Sequence, residues 1–112
     1  MEQIDWADFQ KVELRVGTII EVSDFPKARN PAYILQVDFG EVIGIKKSSA
    51  QITGLYTKDD LRGKQVIAVV NFPAKQIGPI MSECLVTGLH QHGGAVVLAV
   101  PDSEVPNGVR LG

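Results

Sequence analysis

The sequence holds 112 residues, 45% hydrophobic and 21% charged, the balance of one soluble globular domain over residues 1–112 and not of a disordered chain. A formal charge of −2 and a pI of about 5.6 count against a general nucleic-acid coat protein, and Cys84, the lone cysteine, excludes an internal disulfide. No apolar run reaches the length of a membrane span, and the acidic start Met1-Glu2-Gln3-Ile4-Asp5 is unlike a signal peptide, so a cytoplasmic chain without membrane insertion is expected.

Asp5 to Gln10 reads as one helical turn capped by Asp5, with Trp6 and Phe9 on its apolar side. A long alternating strand follows, with Val12, Leu14, Val16, Thr18, Ile20 and Val22 predicted on the buried face and a bulge or bend at Gly17. Prolines bound the connection Phe25 to Pro31. Tyr33 to Phe39 and Val42 to Lys47 then form a hairpin about Gly40-Glu41. The segment from Ser48 to Thr53 breaks the alternation, and a short helix capped by Ser49 is predicted, with another turn over Thr57 to Leu61. Gln65 to Phe72 is the most hydrophobic strand and is expected at the centre of the sheet. Cys84 to Leu89 and Ala95 to Val100 pair around His90 to Gly94, and Pro106-Asn107-Gly108 turns the chain into a short edge segment, Val109 to Leu111. Many short strands, little helix and frequent Gly/Pro turns define an all-β protein. The order of elements matches an OB-fold barrel with a short helical insert and terminal extensions.

Charge is unevenly placed. Between Pro26 and Ile80, eight basic residues meet four acids, a balance of +4, whereas the remainder sets three basic residues against nine acids, or −6. A basic middle between acidic ends can present one positive surface on an acidic protein, or merely an uneven solvated one.

The run Asp8-Phe9-Gln10-Lys11-Val12-Glu13-Leu14-Arg15-Val16-Gly17 resembles the opening of the tRNA-binding domain family. The resemblance continues through Pro26-Lys27-Ala28-Arg29, Val37-Asp38-Phe39-Gly40, Gly44 to Thr53, Asn71-Phe72-Pro73-Ala74-Lys75, Ser82-Glu83 and Val105-Pro106-Asn107-Gly108. The family includes the C-terminal appendages of bacterial methionyl-tRNA synthetases and free-standing, structure-specific tRNA-binding proteins. Those appendages carry a Ser-Gly-Ile type loop where this chain has Ser48-Ser49-Ala50-Gln51-Ile52, and Ser-x-Gly-Met where it has Ser82-Glu83-Cys84-Leu85. Both differences resemble the branch of CsaA-type export-related chaperones. For that branch the resemblance implies an OB-fold homodimer that binds unfolded or precursor polypeptides, with retained tRNA affinity and contact with the protein-export machinery as further implications.

The residues themselves offer three groups of candidates. Lys46, Lys47, Ser48 and Ser49, with Lys27, Arg29, Lys75 and the motif positions Gln51 and Ser82, combine cations with hydroxyls and loose backbone N–H groups. Such a set holds RNA phosphates or the carboxylates and carbonyls of a peptide equally well. Alternation places Lys46 and Lys47 on opposite strand faces. In the loop after the hydrophobic strand, Phe72 continues the inward register of Val66, Ala68 and Val70 and is expected in the core, which turns Asn71 outward as the better binding candidate. Phe25, Tyr33, Ile77, Ile80 and Met81 mostly flank Pro/Gly connections and are expected to be exposed, as a client pocket or as a dimer seam. The N-terminal turn and the tail after Pro101 are further expected to supply the seam.

His90-x-His92 with Cys84 does not complete a metal set. No acyl-transfer signature and no Gly-rich phosphate loop is present, so the expected protein is not an enzyme and works without cofactor, metal or ATP. Two readings remain: a polypeptide-binding chaperone and a structure-specific tRNA-binding module.

Overall fold

The computed structural model describes residues 1–112. Strands β1 (Leu14–Asp24), β2 (Tyr33–Asp38), β3 (Ile45–Ala50), β4 (Gln65–Val69) and β7 (Leu85–Val86) make one antiparallel sheet in the order β3-β2-β1-β4-β7. The short α1 (Trp6–Gln10) precedes it and α2 (Lys58–Leu61) lies between β3 and β4. Two ribbons complete the fold: β5 (Lys75–Ile77) with β6 (Ile80–Ser82), and β8 (Gly88–His90) with β9 (Val96–Leu98). The expected OB-fold barrel is present. No helix is long and apolar enough to cross a membrane.

The barrel's two sheet ends meet where β3 approaches residues 82–84. Glu83 donates its N–H to the Lys47 carbonyl at 2.8 Å, and its carboxylate accepts the Lys47 N–H at 2.9 Å. The Ser49 N–H goes to the Ser82 hydroxyl at 3.2 Å. Side-chain acceptors therefore satisfy edge groups that a longer ladder would otherwise pair.

Both helical turns were legible locally. Asp5 and Thr57 each cap their turn in a reciprocal capping box, with Asp8 and Asp60 returning the bond. The Thr57 backbone and hydroxyl hold the Asp60 carboxyl below its ordinary value. The turn at α2 places Leu61, fully buried, in the core with Ile19, Leu35, Val37, Phe39 and Val66.

The long first strand departs from its expected face. Up to its midpoint the core-facing residues are Gly17 and Ile19, and Ile20, predicted inside, is 42% exposed. The register against β2 skips a residue between Ile19 and Glu21, a bulge three positions later than the bend expected at Gly17. After it, Val22 faces the core as predicted. Val16 is buried too, yet outside the core cluster, at the stretch of β1 whose edge pairs with the tail. Val16 N–H bonds to the Val109 carbonyl, Gly108 N–H to the Val16 carbonyl, and Thr18 Oγ1 donates to Asn107 Oδ1 at 2.7 Å.

Other expectations also shift. No helix opens at Ser49: Ser48, Ser49 and Ala50 finish β3, and only the turn at Thr57 becomes helical. β1, and not the more hydrophobic β4, is central: Leu14 to Thr18 pair with β4 and Thr18 to Asp24 with β2. Phe72 is not core but 56% exposed, since β4 ends at Val69 and the chain turns outward.

Gly17 marks a tightly packed point of the barrel. A Cβ there would lie 2.6 Å from Val37 Cγ1 and 2.7 Å from Phe39 Cδ1, both on fully buried side chains. Gly17→Ala should therefore cost about 1–3 kcal/mol through overpacking, read as a lower urea midpoint at unchanged slope. A midpoint equal to wild type would show that β2 yields freely at this contact.

Candidate ligand-binding surface

A groove of about 670 Å³ runs between the β5–β6 ribbon and the start of β7. Its apolar wall comes from Phe72, Pro73, Ala74, Ile77 and Leu85, and Lys75, Gln76, Ser49, Ser82 and the carboxylate-bearing Glu83 stand at its polar side. Phe72 and Leu85, 56% and 50% exposed, both line the groove and so form one apolar surface. Phe72 is presented because Asn71 and Pro73 on either side hold the chain out of the sheet. Leu85 is presented because its neighbour Cys84 takes the inward position of the register.

Cys84 forms the groove's floor. It is buried, its thiol donates to the Lys47 carbonyl at 3.8 Å, and burial pushes its pKa up to about 11, so it is a packing residue and not a thiolate. Lys47 is exposed beside Ser49, two residues along the same outer face of β3. Neither Lys47 nor Lys75 has a carboxylate within salt-bridge distance, so both cations remain open to a ligand.

The candidates from the sequence divide among several places. Ser49, Lys75, Ile77 and Ser82 gather at this groove. Lys46, on the opposite face of β3 as alternation required, lines a second concavity of about 760 Å³ at the barrel's end together with Asn71. Arg29 lies in a shallow depression with Phe25 and Tyr33, and Gln51 beside Asn30 and the Gly93-Gly94 tip. Lys27 is exposed on the same Pro-bounded connection as Arg29.

Four candidates have structural work. Ser48 is 1% exposed and cannot meet a ligand from inside the barrel. Phe25 is buried, and Tyr33 packs on the core while its hydroxyl donates to the Tyr56 carbonyl at 2.9 Å, so neither belongs to an exposed apolar pocket. Asn71 is exposed, but its amide is already engaged at both ends. Its Nδ2 donates to the Lys11 carbonyl at 2.7 Å and its Oδ1 accepts from Glu13 N–H at 3.0 Å, which clasps the N-terminal segment to the end of β4. Of the remaining apolar candidates, Ile80 is half-buried opposite Ile77, and Met81 is 43% exposed opposite Gln76. Sequence reasoning did not single out Leu85, although the inward position of Cys84 in the alternation was the available signal.

The end concavity holds an ion-pair network. Glu13 bridges Arg15 at 2.8 Å and Arg110 at 3.1 Å, and Arg15 also donates to the Gly108 carbonyl at 3.0 Å. The hydrogen bond from Arg15, opposed by desolvation and helped by the charges of Arg110 and Arg15, holds the Glu13 carboxyl below its ordinary value. This network ties β1 to the tail, while Glu41 and Lys46, which line the same concavity, stay outside it.

An OB barrel with an exposed groove beside its ribbon, and with strand and loop motifs in this order, is of the class that includes oligonucleotide-binding modules. The chain belongs to the tRNA binding domain family, whose model matches residues 14–110. Among solved structures, chaperone CsaA from Bacillus anthracis str. Ames is 45% identical, with a TM-score of 0.93 over 99% of this chain and 100% of that one. The CsaA chaperone protein from Picrophilus torridus is 51% identical, with a TM-score of 0.91 over 98% of this chain and 100% of that one. A MetRS related protein from Pyrococcus horikoshii is 27% identical at a TM-score of 0.87, covering 99% of each chain. The methionine–tRNA ligases of Thermococcus onnurineus and Methanocaldococcus jannaschii match 99% of this chain at 33% and 36% identity. The chain spans only 15% and 17% of their lengths.

The Glu13 network has a defined pH signature. A carboxyl depressed on folding contributes stability above its unfolded value, here near 4.5, and that contribution disappears as pH falls through the folded value. Glu13→Gln should therefore be less stable than wild type at neutral pH, and the gap should close in acid below the folded value. Urea midpoints across that range check it, and a gap independent of pH would remove Glu13 ionisation from the account.

Proposed function

We propose that this protein is an ATP-independent, export-related molecular chaperone of the cytoplasm that binds unfolded or precursor polypeptides as a homodimer, with tRNA affinity alongside. The observation that carries the reading is the apolar groove between Phe72 and Leu85, with the unpaired Lys75 at its side. Similarity over the full chain to two CsaA chaperones supports it. Apolar burial gives affinity for many sequences, because it depends on contact area and not on donor pattern. The lysines add attraction for acidic stretches of a client, or for phosphates. Binding and release need no catalytic group. Contact with the protein-export machinery belongs to the same proposal.

Support for the homodimer comes from the terminal extensions. Arg110 donates to the Gln10 carbonyl at 2.7 Å and Leu111 N–H to the Leu14 carbonyl at 2.9 Å, so the tail and the N-terminal segment lie together. Ile4, Trp6, Val109 and Leu111 leave 40% or more of their surface exposed there. Burial between two copies would remove that apolar area from water. Trp6→Glu combined with Leu111→Glu should convert the dimer to monomer in sedimentation velocity. A wild-type protein that sediments as a monomer at all concentrations would sink the homodimer.

The family model favours a second reading, a structure-specific tRNA-binding module. Equilibrium binding of tRNA and of an unfolded precursor protein, each at about 50 and 200 mM salt, separates the two. Lys47→Glu with Lys75→Glu should weaken tRNA about tenfold or more and lower the salt slope by roughly one per lysine. Client binding should be little changed. Phe72→Ala should act in reverse, costing client binding about 1–2 kcal/mol, or roughly 5- to 30-fold. Salt-sensitive tRNA binding without any precursor complex would replace the chaperone reading with the tRNA module.

A further inference from the structure

Asn107 is the sequence's one asparagine followed by glycine, and both residues sit at the most constrained point of the tail. In such a pair the glycine nitrogen attacks the asparagine side-chain carbonyl with little hindrance, because glycine has no Cβ. A new bond forms between Gly108 N and Asn107 Cγ, the Cγ–Nδ2 bond breaks, and ammonia leaves with the amide proton. Water then opens the cyclic imide. Cleavage at Cγ gives aspartate, and cleavage at the main-chain carbonyl gives isoaspartate, which adds a methylene to the backbone.

The fold holds these atoms in opposed states. Asn107 Oδ1 accepts from Thr18 Oγ1 at 2.7 Å and Gln65 Nε2 at 3.3 Å, which polarises the carbonyl that would be attacked. The attacking nitrogen is locked: Gly108 donates its N–H to the Val16 carbonyl at 2.7 Å. Arg15 holds the Gly108 carbonyl at 3.0 Å, and Gly108 itself has φ +92° with Phe39 O directly beside it. Turning the nitrogen towards Cγ requires the tail to leave β1.

We propose that Asn107-Gly108 is a latent deamidation site which the barrel keeps closed, so that release of the C-terminal tail, and not elapsed time alone, sets when it converts. Aspartate keeps an acceptor for Thr18 and Gln65 and lets the tail return. Isoaspartate lengthens the backbone between the Asn107 and Gly108 positions and cannot restore both the Val16 and the Arg15 bonds. Each release therefore carries a chance of permanent loss of the tail's anchorage, and with it the tail's backbone bonds to Val16. This inference does not depend on the proposed function.

The test follows conversion in the full-length protein at neutral pH, by the amide-to-acid mass shift at residue 107 and by isoaspartyl methyltransferase labelling. The native chain should convert at least about tenfold more slowly than the urea-unfolded chain, equivalent to a local opening free energy of about 1.4 kcal/mol or more. Arg15→Ala, which frees the Gly108 carbonyl without touching Asn107, should convert faster than wild type. If that variant does not fold, wild type in urea below its unfolding transition replaces it, and conversion should rise before the core opens. Equal rates in native and unfolded chains would overturn the proposal. So would an unchanged rate in folded Arg15→Ala, or, in the urea experiment, conversion that rises only with global unfolding.

Discussion

The approach of Phe39 to the backbone of Gly17 is the contact on which the rest of the barrel depends. With no side chain at Gly17, the Phe39 ring can lie against the strand itself, and the sheet curls tightly enough for β3 to reach residues 82–84. The Ile19/Glu21 bulge completes the turn, and bulges of this kind increase strand twist where a barrel must close. The same place is crowded from outside. A Cβ on Gly108 would meet the Phe39 carbonyl at 2.7 Å, so β1, the end of β2 and the tail converge on one point. Core, closure and terminal anchorage are therefore coupled through a few residues around Gly17.

That convergence explains what could be read from the sequence and what could not. Local signals translated well: the caps Asp5 and Thr57, the hairpin of β2 and β3, and the pairing of β8 with β9 all rest on residues close in the chain. The face of β1 did not, because Val16 and Ile19 are both buried, one outside the core cluster and the other in it. Alternation identifies the buried side of a strand only when the other side faces water. Nor does any period in the strand announce that the tail at Gly108 and Val109 will pair with its edge. Phe72 failed for a related reason. Its register was extended from β4 past the point where Asn71 leaves the sheet to clasp Lys11 and Glu13.

The candidate site was legible as a set of motifs but not as a place. Ser49, Lys75 and Ser82 lie far apart in sequence and meet because the β5–β6 ribbon folds against β3. Lys46 and Lys47, adjacent in sequence, go to different surfaces. Charge pairing differs within those surfaces. At the barrel's end Glu13 engages Arg15 and Arg110, while Lys46 there, like Lys47 and Lys75 near the groove, has no carboxylate within salt-bridge distance. An acidic chain can thus present unpaired cations locally, since local pairing and not net charge decides what a ligand meets.

On the proposed reading, a groove of this composition suits both ligand classes considered above. Apolar contact is indifferent to sequence, and an exposed phenylalanine offers the same face to a client side chain or to an unstacked base. Two free lysines add attraction that weakens with salt, for an acidic peptide or a phosphate. Each contribution is modest at a single groove. In the proposed homodimer, a long flexible client or a folded RNA that reached both grooves would convert the second contact into an intramolecular one, raising affinity without a new kind of bond. A client too short to span the pair would gain nothing. On the proposed reading, discrimination between ligands therefore rests on their reach as much as on their chemistry, and it depends on the terminal segments that fix the spacing of the two copies.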